Sequence, residues 1–297
     1  MTMKILLIGK FGQLGWELHR TLLPLGEVTA LDYPEINLAE PEQLRSLVRN
    51  LSPQVIVNAA AYTAVDQAER EPELAYAINS SAPAVLAEEA NALDAVMIHY
   101  STDYVFDGEK RSPYDENDPT NPINVYGDSK LAGEQSVLEM AAAGLVFRTS
   151  WVYSLRRGSF VTKVLEWSRQ HEVLRVVSDQ VSKPTWCRSL AEATVQVLAK
   201  SSRDGHPADW IRTHRGLYHL ADNGAASRYE WAQAILAFDP EAGQQRTRQI
   251  EPAQTSEFPA PASRPLYSVL NCTKFEQTFG LHMPDWRTSL ELAMQTP

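Results

Sequence analysis

The stretch Lys4-Ile-Leu-Leu-Ile-Gly9-Lys-Phe-Gly12-Gln-Leu-Gly15 decides the fold. An apolar run of strand length feeds three glycines at GxxGxxG spacing, and a helical pattern over Leu14–Leu22 follows at once. Gly9 permits a tight turn, Gly12 lets backbone approach a pyrophosphate, and Gly15 lets helix pack on strand. The unpaired N–H groups of the helix start then face an anion. Asp32 stands twenty residues after Gly12, at the end of the second expected strand. A carboxylate there accepts from an adenine-ribose 2′-hydroxyl. A ligand-free βα turn could use the same glycines, but strand context together with Asp32 favours a dinucleotide site. Asp32 argues for NADH, because a 2′-phosphate would meet a carboxylate, whereas Lys10 inside the loop could reach such a phosphate. The choice between NADPH and NADH stays open at this point.

Outward from the loop, short apolar runs alternate with helical patterns. Strands are expected at Lys4–Ile8, Val28–Asp32, Val55–Ala59, Ala95–Ser101 and Leu145–Thr149, with helices at Leu14–Leu22, Glu42–Asn50, Glu73–Leu93 and Asp128–Ala142. Gly26 and Gly144 stand where helix C-caps are expected, and Pro72 at a helix first turn. Right-handed crossovers convert this order into an α/β fold with a doubly wound parallel sheet of the Rossmann type. After about Thr149 the pattern loosens into strands Leu174–Ser178 and Gly216–Ala221 and helices Ser159–Gln170, Ser189–Ala199 and Arg228–Phe238. The proline-rich segment Glu251–Pro265 reads as a loop. The division expected is a dinucleotide-binding domain over 1–170 and a smaller, mainly substrate-binding domain over 171–297, with some segments returning to the main sheet.

Composition narrows the function classes. The 297 residues are 44% hydrophobic and 22% charged, enough for a full core without metals or disulfides. A formal net charge of −10 disfavours a nucleic-acid partner. Cys187 and Cys272 lie far apart with no metal-ligand spacing, which signals neither a disulfide framework nor zinc. No apolar run reaches the roughly 18 residues of a membrane span, and Met1–Gly9 reads as a first buried strand rather than a leader. A cytoplasmic setting with no membrane partner is the expectation.

Tyr126-Gly-Asp-Ser-Lys130 places a phenol and an ammonium one helical turn apart. A neighbouring cation favours phenolate, so Lys130 is expected to lower the pKa of Tyr126 and tune it for general acid work. Ser101-Thr102-Asp103-Tyr104 closes the fourth expected strand, on the sheet end where ligands bind in open α/β folds. Thr102 would orient a carbonyl oxygen there, with Asp103 and Tyr104 beside it. Glycine loop, strand-end hydroxyl and Tyr/Lys helix together describe hydride transfer between a nicotinamide and a carbonyl.

The chain resembles the extended short-chain dehydrogenase/reductase family. The matching stretches are GKFGQLGWEL from Gly9, VIVNAAAYTAVDQAE from Val55, INSSAP from Ile78, HYSTDYVFDG from His99, NPINVYGDSKLAGE from Asn121, FRTSWVY from Phe147, SDQVSKPT from Ser178, GLYHLA from Gly216 and RPLYSVLNCTKF from Arg264. TAVDQAE, STDYVF and the Arg-Pro…Ser-x-Leu stretch point more narrowly to the branch acting on 4-keto-6-deoxysugar nucleotides. The resemblance implies reduction of the C4 ketone of a thymidine-diphosphate-linked sugar, for a cell-surface polysaccharide, with Thr102, Tyr126 and Lys130 catalytic. Gly9, Phe11, Gly12, Gln13 and Leu14 would hold the pyrophosphate and Asp32 the adenosine ribose. Ala59, Ala60, Ala61 and Tyr62 would line the cofactor. Thr63, Val65, Asp103, Tyr104, Trp151 and Arg264 would contact the nucleotide-sugar substrate.

Two positions depart from that pattern. Some relatives bind magnesium through three glutamates at a dimer interface; Glu17 matches one, but Arg188 and Thr296 stand at the others, so magnesium is not expected. Asn37 stands where an Asp is expected near the adenine. Monomer and homodimer both stay open. So do two rival readings, a reductase giving a different sugar epimer and a non-catalytic NADP-binding regulatory relative. The intact Thr102, Tyr126 and Lys130 weigh against the second.

Overall fold

The computed structural model describes residues 3–202 and 205–295; Met1, Thr2, Thr296 and Pro297 lie outside them. The first half runs β1 (Met3–Ile8), α1 (Gln13–Leu22), β2 (Gly26–Leu31), α2 (Pro41–Leu51), β3 (Val55–Asn58), α3 (Val65–Ala68), α4 (Pro72–Tyr76), α5 (Ala82–Ala92), β4 (Val96–Thr102), α6 (Val125–Met140) and β5 (Gly144–Thr149). The second half adds β6 (Val152–Tyr153), α7 (Phe160–Gln170), β7 (Val173–Val177), β8 (Val181–Ser182), β9 (Thr185–Trp186), α8 (Cys187–Ser201) and α9 (Pro207–His214). It ends with β10 (Gly216–His219), β11 (Ala226–Ser227), α10 (Arg228–Ala237), β12 (Gln249–Ala253), α11 (Thr273–Phe279) and α12 (Trp286–Gln295).

Side-chain alternation builds the two layers around the sheet. On β1, Ile5 and Leu7 meet α1, α8 and α11 through Leu18, Leu190 and Phe275, while Leu6 and Ile8 meet α2 and α5 through Leu44, Val48 and Leu86. Six parallel strands stand in the order β10-β5-β4-β3-β1-β2. The chain leaves β1 toward β2 on one side and returns to β3 on the other, so strand order reverses between β1 and β3. The carboxyl ends of those strands therefore border a crevice. A separate core of Tyr153, Val164, Leu174, Trp231, Ile235, Trp286 and Leu290 gathers α7, α10 and α12 beside that crevice.

Several elements differ from the sequence reading for local reasons. The long helix expected over Glu73–Leu93 is broken by a π turn at Ala77–Ser81. That turn brings Asn79 against the loop after β3, where its Oδ1 accepts from the Tyr62 N–H at 2.8 Å. Helix α6 closes at Met140 with Ala141 as its cap, so Gly144 opens β5 instead of capping the helix. Gln249–Ala253, partly assigned to a loop, pairs with β7 in parallel; Pro252 is tolerated there because this two-stranded ribbon leaves one edge free. Helices α9, α11 and α12 were not expected. Their apolar faces are completed only by distant partners, as where Phe279 of α11 packs on Tyr218 of β10 at 4.9 Å between ring centroids.

Candidate active site

The carboxyl ends of β1, β3, β4 and β5 open into a cleft of about 680 Å³. Distances around the glycine loop separate what the fold needs from what a ligand needs. A Cβ at Gly15 would fall 1.8 Å from the Gly9 carbonyl oxygen, and one at Gly9, where φ is +96°, would fall 2.8 Å from the Ala60 nitrogen. Both positions are dictated by the backbone. Gly12 closes the turn with its N–H on the Gly9 oxygen at 2.9 Å, and a Cβ there meets only that oxygen, at 3.2 Å. The fold itself therefore asks less of Gly12 than of Gly9 or Gly15. Asp32 stiffens the loop, its two oxygens accepting from the Phe11 and Tyr33 N–H groups at 2.8 Å each. Lys10 pairs with Glu35 at 2.5 Å, and that contact holds the Glu35 carboxyl below its usual range.

The cleft wall carries polar atoms turned inward. Gln13 Oε1, Ser101 Oγ and Thr149 Oγ1 are buried with no hydrogen-bond partner among the described residues, although all three side chains line the cleft. Buried polar atoms are rarely left unmatched, so these fit a ligand rich in hydroxyl and amide groups, as a dinucleotide is. Arg157 and Gly158 close the far side, the Arg157 guanidinium donating to the Phe11 carbonyl.

Helix α6 delivers the reactive pair. Asn124 caps it by accepting from the Gly127 N–H at 2.7 Å, and Gly127 is required because a Cβ there would fall 2.2 Å from the Tyr104 carbonyl oxygen. Tyr126 and Lys130 then face the cleft beside Thr102 at the end of β4. The Thr102 hydroxyl favours the ionised form of the Tyr126 phenol, against the larger effect of burial. Thr102 Oγ1 donates to Asp103 Oδ1 at 3.2 Å. The lysine does not act on Tyr126 as expected. Its Nζ donates to the Tyr100 carbonyl at 2.6 Å and lies 3.3 Å from His99 Nε2, while burial pushes the Tyr126 phenol above its ordinary value. Burial also brings Lys130 down to about 7. Desolvation sets the direction for both groups.

Asp103 is 2% exposed, and its carboxyl faces inward on a hydroxyl cluster. Ser268 Oγ donates to its Oδ2 at 2.5 Å and Ser182 Oγ lies 3.0 Å away. Burial raises it to about 6, those hydroxyls opposing the rise.

A second cavity of about 790 Å³ adjoins the cleft, and Trp151 and Val152 line both. Trp151 holds a positive φ of 41°, costly for so bulky a side chain, and it lies stacked on Trp231 at 5.6 Å with 12° between the rings. The Arg228 guanidinium sits 3.7 Å over the Trp151 ring, and the charges of Arg228 and Arg264 both favour the ionised form of the Tyr104 phenol against burial; burial draws Arg228 down to about 10. Lys163, Arg175, Arg228 and Arg264 line this cavity, and among the described residues no Asp or Glu does. Arg175 is matched by Glu257, and Arg264 by Asp66 at 2.7 Å.

The structure thus gathers Gly9, Gly12, Gln13, Leu14, Asp32, Ala59, Ala60, Ala61, Thr63, Thr102, Asp103, Tyr126, Lys130 and Trp151 around the cleft, and Arg264 around the adjoining cavity. It leaves four expected residues off both walls. The Phe11 ring is 53% exposed, Tyr62 turns its hydroxyl to Glu71 at 2.6 Å, Val65 opens α3, and Tyr104 packs edge-on against Tyr126 at 5.7 Å. Sequence reasoning missed Arg228, Trp231, Phe160 and Lys163, which lie in helices that read as ordinary amphipathic segments. It also missed His99, although the residue stands inside a stretch singled out for its neighbours. Glu17 lies beside Arg20 and Arg188 pairs with Glu192; among the described residues no three Asp, Glu, His or Cys side chains cluster as metal ligands would.

Residues 3–296 match the family described as RmlD substrate binding domain. The chain is 42% identical over 296 residues to the dTDP-4-dehydrorhamnose reductase of Burkholderia thailandensis, covering 99% of this chain and 98% of that one. Among solved structures it resembles the dTDP-4-dehydrorhamnose reductase of Clostridium acetobutylicum, with a TM-score of 0.90 at 34% identity over 99% of both chains. It also resembles the Bacillus anthracis enzyme of that name in complex with NADP, with a TM-score of 0.87 at 32% identity over 100% of both chains. Matched from end to end in sequence and in fold, the chain belongs to the RmlD substrate binding domain family, that of the dTDP-4-dehydrorhamnose reductases.

Proposed function

We propose that the chain is an NAD(P)H-dependent reductase that converts the C4 ketone of dTDP-4-dehydro-L-rhamnose to the alcohol of dTDP-L-rhamnose, which serves rhamnose-containing polysaccharide. One observation carries the reading: Trp151 joins a dinucleotide cleft holding Thr102, Tyr126 and Lys130 to an aromatic cavity lined by cations. A nucleoside diphosphate needs a flat surface for its base and positive charge for its phosphates. Trp151, Trp231 and Phe160 supply the first; Lys163 and Arg228 supply the second within a chain of net charge −10.

A reduced nicotinamide, when bound, supplies the hydride. Gly12 and the start of α1 receive the pyrophosphate and Asp32 the adenosine ribose; Gln13, Ser101 and Thr149 offer their unmatched polar atoms. Thr102 and Tyr126 hold the ketone oxygen from one side. As negative charge develops on that oxygen, both hydroxyls bind it more tightly than in the ground state, and Tyr126 gives it a proton. The Thr102 hydrogen, held by Asp103 Oδ1 in the ligand-free protein, turns to the ketone oxygen when the substrate binds. Residues 1–170 carry the dinucleotide and 171–297 mainly the sugar nucleotide in this reading, with Trp151 and Phe160 crossing from the first part to the second. The site works in the cytoplasm as a monomer or homodimer, without magnesium.

The test follows NADPH and NADH oxidation with dTDP-4-dehydro-L-rhamnose and with its epimers, and identifies the product. Turnover of the first substrate to dTDP-L-rhamnose in EDTA is the expected result. Turnover confined to another epimer would replace the substrate, and tight dinucleotide binding without turnover of any would favour a regulatory relative.

A further inference from the structure

Beneath Lys130 lies a buried chain of three side chains whose hydrogen-bonding sense can be followed atom by atom. Asn58 on β3 and His99 on β4 are register partners, and Asn58, His99 and Lys130 are 1%, 0% and 2% exposed. Asn58 Oδ1 accepts from the Ala60 N–H at 3.2 Å, which turns the amide nitrogen toward His99 Nδ1 at 3.3 Å. An amide nitrogen only donates, so Nδ1 must be the accepting ring nitrogen and the ring proton sits on Nε2. Nε2 points at Lys130 Nζ, 3.3 Å away. An N–H facing an ammonium would set donor against donor. An amine nitrogen can accept, and it still donates a hydrogen to the Tyr100 carbonyl at 2.6 Å.

We propose that Asn58 and His99 are positioning residues that set the protonation of Lys130, holding its Nζ as a neutral amine in the ligand-free protein. One surrounding charge, the Glu134 carboxylate, favours the ammonium, and burial outweighs it. Glu134, one turn along α6, is committed to Arg148 of β5 at 2.9 Å, and Asp103 is turned to Ser182 and Ser268. Tyr126 and Thr102 present hydroxyls, and Tyr100 only its carbonyl. Burial lowers both His99 and Lys130, in the same direction as the hydrogen-bond argument. The proposal rests on the reductase reading only for its consequence, that dinucleotide affinity carries a protonation step at Lys130.

The experiment uses ligand-free full-length protein labelled with ¹⁵N-histidine and ¹³Cε-lysine, followed by NMR between about pH 6 and 9. His99 should show the Nε2–H tautomer at pH values above the Lys130 midpoint, and that midpoint should lie near 7. Asn58→Asp keeps the shape but presents an acceptor to Nδ1. That variant should move the proton to Nδ1, leave Nε2 accepting, and raise the Lys130 midpoint by about one pH unit or more. A wild-type Nδ1–H tautomer above that midpoint overturns the proposal even if Asn58→Asp fails to fold. An unmoved Lys130 midpoint in a folded Asn58→Asp protein overturns it too. Loss of the reductase reading in turnover assays would leave both NMR results standing, so the two failures are distinguishable.

Discussion

The cleft and the cavity that meet at Trp151 are built from different materials. The cleft is lined by backbone, small residues and hydroxyls drawn from the ends of four neighbouring strands. The cavity is lined by rings and guanidinium groups from α7, β7, α10 and the segment after β12, which the chain visits at widely separated points. Backbone and hydroxyl groups have little freedom to lose, so they suit chemistry that needs donors held still. Long cationic side chains over rings provide grip and selectivity, and they tolerate small displacements. Substitutions in the two regions should therefore separate turnover from substrate affinity.

The largest effect belongs to the cleft. Tyr126→Phe removes the proton donor and leaves the ring against Tyr104, so turnover should fall by about 10² or more with the fold intact. Thr102→Val comes next. It removes one donor to the developing oxyanion, and single-turnover rates should drop by roughly 1.5–4 kcal/mol of barrier with dinucleotide affinity nearly unchanged. Lost dinucleotide binding with normal single-turnover chemistry would move Thr102 into the cofactor site and blur the comparison.

Arg228→Met is the counterpart in the cavity. It keeps an apolar stem over Trp151 and deletes the charge, so the sugar-nucleotide KM should rise about 10- to 100-fold while kcat holds within a factor of a few. A fall in kcat with unchanged KM would break the division of labour between the two hollows.

The same contrast explains what could be read from the sequence. The central sheet and the glycine loop were legible because each apolar run and each glycine is constrained by its near neighbours; a Cβ on Gly15 would strike the carbonyl of Gly9 in the same turn. Thr102, Tyr126 and Lys130 were legible from their places at a strand end and a helix start. Arg228 and Trp231 were not, since nothing local in α10 shows that it will face Trp151. The direction of the Tyr126 shift was misjudged for a related reason: helical spacing records the lysine, but not the desolvation of the buried phenol.

The smallest expected effect concerns cofactor choice, where Asp32 and Lys10 pull in opposite directions. In the structure each Asp32 oxygen already accepts a backbone N–H, which tempers its charge toward an incoming phosphate. Lys10 is held by Glu35 at 2.5 Å, so its attraction for a 2′-phosphate is offset as well. Removing Glu35 frees the ammonium and gives up one acceptor for the Asp32 N–H. Glu35→Ala should therefore raise the ratio of kcat/KM for NADPH over NADH by about two- to fivefold, in the range of a partly exposed ion pair, and less at high salt. Adding Lys10→Ala should abolish the gain, because the whole effect passes through that ammonium. A gain that survives in the double variant would mean that Glu35 acts on the cofactor directly, through the N–H of Asp32 that it accepts at 3.3 Å, and that Asp32 rather than Lys10 governs the choice.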